Sequence, residues 1–177
     1  MQDFTNETID LNQLPKYQDI ILNTPNKKYW SVIVINISIS LLLVGVGLIT
    51  LLILNKESRP YLYSIIGGYL VTGILIFLLH AASFKKRGFA LREKDIVYKS
   101  GIIAESTSII PINRIQHVAL NEGIFSRMYK LATLQISTAS GGSGQMNIAG
   151  IPIEKAKVIK EALVQRLDLL EKTEEQV

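Results

Sequence analysis

Two long stretches without a charged side chain dominate the pattern: residues 31–54 and, after the polar break Asn55 to Pro60, residues 61–84. At about 1.5 Å rise per residue, each stretch makes a helix of about 36 Å, enough to cross a hydrocarbon core of about 30 Å with some tilt. A helix of this length in a water-soluble protein keeps a polar stripe, and the first stretch offers, after its opening Ser31, only Asn36, Ser38, Ser40 and Thr50. The pattern therefore predicts a transmembrane α-helical hairpin over residues 30–84, with helices at 31–54 and 61–84. The short connection puts both flanks on one side of the bilayer.

Downstream of Lys85 the period shortens to two. Gln116, Val118 and Leu120 alternate with Ile115, His117 and Ala119. Leu134, Ile136 and Thr138 alternate with Thr133, Gln135 and Ser137, and Met146 and Ile148 alternate with Gln145 and Asn147. Shorter strands are expected at 88–92, 96–100 and 106–110. Such close spacing leaves no room for crossover helices and predicts a six-stranded antiparallel meander ending at Gly150. After Pro152, Ala156, Ile159, Leu163, Leu167 and Leu170 recur at helical spacing, so one amphipathic helix closes the domain. The expected plan is an N-terminal segment 1–29, the hairpin 30–84, a small antiparallel β domain 85–170 and a frayed tail 171–177.

Charge gives the hairpin a direction. Lys16, Lys27, Lys28, Lys85, Lys86, Arg87 and Arg92 flank it, against Lys56 and Arg59 in its turn. The positive-inside rule then places both termini in the cytoplasm, with the hairpin crossing a plasma membrane. Tyr29, Trp30, Tyr61 and Tyr63 read as interfacial anchors. No cleavable signal peptide is expected, because residues 1–29 are polar and carry Asp3, Glu7, Asp10 and Asp19. The chain has no cysteine, which excludes disulfides, thiolate nucleophiles and thiolate-bound metals. The net charge of +4 sits on the segment after the hairpin. Mixed charge on a membrane-tethered domain argues for apposition to anionic headgroups and against nucleic acid.

The run Arg92-x-x-Asp95-Ile96, Gly101, Ile110-Pro111-x-x-Arg114-Ile115-Gln116-x-Val118, Gly123, Arg127, Leu131-Ala132-x-Leu134-x-Ile136-x-Thr138, Ile148-x-Gly150-Ile151 resembles the bacterial pleckstrin-homology-like (PH-like) domain of the YdbS type, once called DUF304. The resemblance covers the whole chain, since such proteins also place a two-helix membrane hairpin before the domain. It implies a PH-like, partly open barrel with a C-terminal helix, facing the cytoplasm. It also implies a partner, a larger membrane protein with several related domains, and is compatible with envelope defence against membrane-active peptides. Pro111, Arg114, Ile115, Gln116 and Arg127 carry the motif. One departure is Lys130, where such sequences place a glycine, at a turn that favours left-handed backbone.

Candidate chemistry is sparse. His80, near the cytoplasmic end of the second helix, reads as interfacial, and His117 as a buried or barrel-rim histidine. No metal-ligand spacing joins them, and neither a metal nor a cofactor is expected. Ser140-Gly-Gly-Ser-Gly144 lacks the lysine and following helix of a phosphate loop and reads as a hairpin turn. Lys85, Lys86, Arg87, Arg92 and Lys94 are candidates for lipid headgroups. Arg114 is expected to pair with a carboxylate such as Asp95 or Glu122. Asn36, Ser40 and Gly47 on one helix, and Ser64, Gly68 and Thr72 on the other, form small and polar stripes through which the helices pack on each other or on partner helices. These observations point to a non-catalytic assembly or recognition module within a hetero-complex. The alternative is a sensor of anionic lipid headgroups at the inner leaflet.

Overall fold

The structure is a computed structural model that describes residues 20–55, 60–102, 104–138 and 144–174. The turn cations Lys56 and Arg59, Lys16, and all but Gly144 of the glycine-rich loop lie outside the described residues.

Two helices, α1 (Lys28–Leu54) and α2 (Leu62–Lys86), form the hairpin. Their uncharged sequences bury almost no side chains against protein and expose Leu42, Leu43, Leu70, Val71 and Ile74, as lipid-facing helices do. Asn26 starts α1, its Oδ1 accepting the Lys28 backbone N–H at 2.9 Å. The helices meet through Leu41, Gly45, Tyr69 and Gly73. Tyr69 Oη donates to the Leu41 carbonyl at 2.7 Å, the absent Cβ of Gly45 leaves room for the Tyr69 ring, and Gly73 sits against Leu41. Asn36, Ser40, Gly47, Ser64, Gly68 and Thr72 are all exposed, so the expected stripes do not join the two helices. The reason is local: small residues admit close approach only where something bulky faces them, and nothing lies within 4 Å of a Cβ built on Gly47 or Gly68.

The domain begins at once, with β1 (Gly88–Leu91), β2 (Asp95–Ser100) and β3 (Ser106–Pro111). A 3-10 turn, Ile112–Arg114, leads to β4 (Ile115–Asn121) and to a five-residue helix α3 (Ile124–Met128) that the alternation gave no sign of. Strands β5 (Leu131–Thr138) and β6 (Gln145–Pro152) follow, and α4 (Ile153–Glu174) closes the chain. The meander order holds, but the strands form two antiparallel three-stranded sheets, β1-β2-β3 and β4-β5-β6, instead of one sheet of six. Pro111, which has no N–H to give a ladder, and the turn after it end the first sheet. No closed barrel results.

The core lies between the sheets. Ile96, Leu134, Ile136, Ile148 and Ile151 are almost wholly buried, and α4 covers them with Ala156, Ile159 and Leu163, the face that helical spacing marked out. α4 continues through Glu174, past the expected tail boundary, and β6 runs two residues beyond Gly150. The second sheet has two irregularities, each of which resets a face. In β4 the register shifts between Ile115 and His117, so Ile115 and Val118 are both buried while Gln116 and His117 are both exposed. His117 is therefore on the surface and not in the interior. In β6 the matching shift falls at Gly150, whose φ is +78°.

Residues 20–27 tie the hairpin to both sheets. Asn23 pairs with Phe89 through two backbone bonds, of 2.7 and 3.0 Å, and the Asn26 N–H donates to the Gly150 carbonyl at 2.9 Å. The first contact covers part of the β1 edge and the second reaches β6. Leu22 lies on Gly88, and Lys155 Nζ donates to Asn23 Oδ1 at 3.2 Å. Trp30 and Tyr29, expected as interfacial anchors, are half-buried against protein. Trp30 packs on Phe77 and Phe84 of α2, with ring centroids 5.4 and 5.7 Å away, and Tyr29 lies between Phe84 and Gly150. Their large rings fill the junction between helices and domain.

Candidate recognition surface

The five headgroup candidates do not form one patch. Lys85 is exposed at the end of α2. Lys86 is held by Glu105 at 3.3 Å and by the Ile102 carbonyl at 3.1 Å. Arg87 is half-buried and donates through Nε and Nη2 to Ser83 Oγ at 3.3 and 3.2 Å. Arg92 makes a two-pronged pair with Asp95 at the far end of the β1–β2 hairpin, beside the exposed Lys94. A four-residue strand at about 3.3 Å per residue separates the two groups by about 13 Å.

Glu105 is the centre of the charge network, pairing with Lys99 at 2.7 Å as well as with Lys86. Hydrogen bonds from Lys99 and then Lys86 hold its carboxyl below the usual carboxylate range. Asp95 is taken by Arg92, so the expected Arg114–Asp95 pair is absent. Arg114 closes the 3-10 turn, exposed and without an ion pair among the described residues. Arg127 on α3 is exposed likewise. Of the motif, Ile115 is a core residue, Pro111 ends β3, and Gln116 is the extra residue of the β4 bulge. The motif thus spells out the corner between the two sheets.

His80 Nδ1 lies 2.9 Å from the Ile76 carbonyl, one turn back on α2, and is remote in sequence from any acid that would act with it. Among the described residues no three His, Cys, Asp or Glu side chains converge as a metal site would require.

Several depressions open on the domain, and two of them border its sheets. One, of about 400 Å3, opens between β3 and β6 and is lined by Tyr98, Ser108, Ile109, Ile110, Gln145 and Met146. Here the two sheets approach without pairing, and β3 has a ladder partner only in β2 among the described residues. Burial pushes the Tyr98 phenol above its ordinary range, with Arg87 opposing. The other, of about 640 Å3, lies between the 3-10 turn and α4 and is lined by Lys94, Pro111, Asn113 and Arg166. Arg166 donates there to the Glu93 carbonyl at 2.7 Å and the Arg92 carbonyl at 3.1 Å. Both depressions lie at the corner and seam of the sheets, and spacing in the sequence marks neither.

A transmembrane hairpin carrying two small antiparallel sheets and a C-terminal helix defines a membrane protein with a PH-like domain. The chain belongs to the bacterial PH domain family, whose model matches residues 30–167. It is 34% identical over 103 residues, 56% of its length, to the UPF0699 transmembrane protein YdbT of Bacillus subtilis, covering 21% of that protein. It is 28% identical over 107 residues, 59% of its length, to the UPF0699 transmembrane protein YdbS of the same organism, covering 65% of it. The chain thus spans about a fifth of one curated relative and just under two thirds of the other. No solved structure matches it significantly. The expected YdbS-type resemblance and the PH-like fold are both borne out.

Proposed function

We propose that this chain is a non-catalytic recognition module, anchored by its hairpin with both termini in the cytoplasm, that joins a larger membrane protein carrying related PH domains. The observation that carries this reading is the open edge of β3. Ser108 and Ile109 are exposed there beside the 400 Å3 opening, and an edge of this kind accepts an extended segment by backbone hydrogen bonds, with side-chain pockets giving selectivity. A larger partner is supported by YdbT, a relative of which this chain matches only about a fifth. Envelope defence against membrane-active peptides is the setting that the family resemblance adds.

The headgroup-sensor alternative has less support, because Lys86, Arg87 and Arg92 are each occupied by Glu105, Ser83 and Asp95. The test is to extract the full chain in mild detergent, wild type and Ile109→Lys, and identify co-purifying membrane proteins. A larger bacterial PH domain protein retained by the wild type and lost by the variant is expected. A wild-type chain that purifies alone, or equal retention by both, removes the reading.

A further inference from the structure

We infer that α3 is a membrane-contacting foot: Ile124 and Met128 enter the boundary between headgroups and acyl chains of the leaflet where the hairpin ends, with Arg127 and Lys130 at phosphate level. Exposure first singles these residues out. Outside α1 and α2, the three most exposed large apolar side chains among the described residues are Ile21 at 92%, Ile124 at 80% and Met128 at 73%. Two of the three stand four residues apart on α3 and share one helix face. The third, Ile21, precedes Leu22, which lies on Gly88 just past the end of α2.

Depth is the independent observation. α1 has 27 residues, about 40 Å, against a hydrocarbon core of about 30 Å. If its outer end sits at the far boundary, about 10 Å of its first turns stand clear of the hydrocarbon. Those turns hold two of its buried residues, Val32 and Ile33, and α3 packs against α1. The apolar face of α3 therefore continues the transmembrane surface at the level where lipid replaces protein. The exposed cations Arg127 and Lys130 beside it, with Lys27 and Lys28 at the start of α1, complement anionic headgroups, and Glu122 is the one acid of the segment 121–130. A protein surface facing water would leave both apolar side chains uncovered. The inference holds for whichever leaflet the hairpin ends in, and so stands apart from the recognition reading.

The chain has no cysteine, which permits single-site labelling. Full-length Met128→Cys and Val158→Cys, the latter on an exposed site of α4, are labelled with a fluorophore and reconstituted one chain per nanodisc. The label at 128 is expected to be quenched by nitroxide on the lipid and shielded from aqueous iodide, with the label at 158 showing the reverse order. Ile124→Cys repeats the measurement should the first variant fail to fold. Iodide quenching at 124 or 128 equal to that at 158 overturns the inference, and assigns the face to water or to a protein absent from the disc.

Discussion

The ring of Tyr29 lies so close over Gly150 that a Cβ at that glycine would stand 2.7 Å from Tyr29 Cγ. The contact links the start of the first membrane helix to the bulge of β6, where Gly150 also has left-handed backbone. Gly150→Ala meets both obstacles. The left-handed conformation alone costs a residue with a Cβ about 1–2 kcal/mol, and the clash adds to it. Adding Tyr29→Ala removes the clash together with the packing of the ring. Thermal unfolding in detergent should show the double variant losing less than the sum of the two single losses, whereas simple additivity would show that the contact is not in place.

Lys130 is the one non-glycine residue with positive φ among the described residues, at +54°. Its turn is fixed from both sides, since the Lys130 N–H donates to the Arg127 carbonyl and its own carbonyl accepts the Ile153 N–H. Lys130→Gly removes the strain at the entry to β5 and is expected to stabilise by about 1 kcal/mol, less the entropy that glycine gains in the unfolded chain. A raised unfolding midpoint checks this. A lowered midpoint would mean that the lysine side chain contributes more than its backbone strain removes.

Glu105 gives the domain a pH dependence of known sign. Its carboxyl is held below the usual range by Lys99 and Lys86, so its contribution is present above the ordinary carboxylate pKa of about 4.3 and disappears as pH falls through its depressed folded value. The stability difference between wild type and Glu105→Gln should favour the wild type at pH 7 and shrink toward zero below pH of about 4. A difference that does not vary over that range would exclude the ion pairs as its source.

Inside the membrane, Tyr69→Phe deletes the Tyr69 Oη to Leu41 carbonyl bond while keeping the ring that faces Gly45. A loss of about 0.6 kcal/mol is expected, typical of hydrogen bonds between transmembrane segments. Gly45→Leu, which pushes against that ring, should weaken the hairpin more. Gly47→Leu, at an open position, should leave the isolated chain unchanged.

Much of the architecture was legible because period and charge are properties of single segments. The helices, six strands and the buried face Ala156, Ile159 and Leu163 follow from spacing alone. What stayed hidden depends on meetings between distant segments. The division into two sheets comes from the corner at Pro111 to Arg114, and a bulge at Gln116 moves His117 outward. Helix α3 is too short to show a period. Tyr29 and Trp30 have the composition of lipid anchors, and their packing on Gly150, Phe77 and Phe84 is a meeting of distant segments that spacing does not show. The cations flanking the hairpin were visible as a group, but their pairing with Glu105 and Asp95 was not.

The recognition role proposed for the domain requires that it face the cytoplasm while the hairpin turn faces outward. Val158→Cys and Tyr63→Cys in the cysteine-free chain, probed with a membrane-impermeant maleimide on intact cells and on inverted vesicles, report both sides at once. Labelling of 63 only in cells and of 158 only in inverted vesicles is expected; labelling of 158 in intact cells would contradict the proposal at its root.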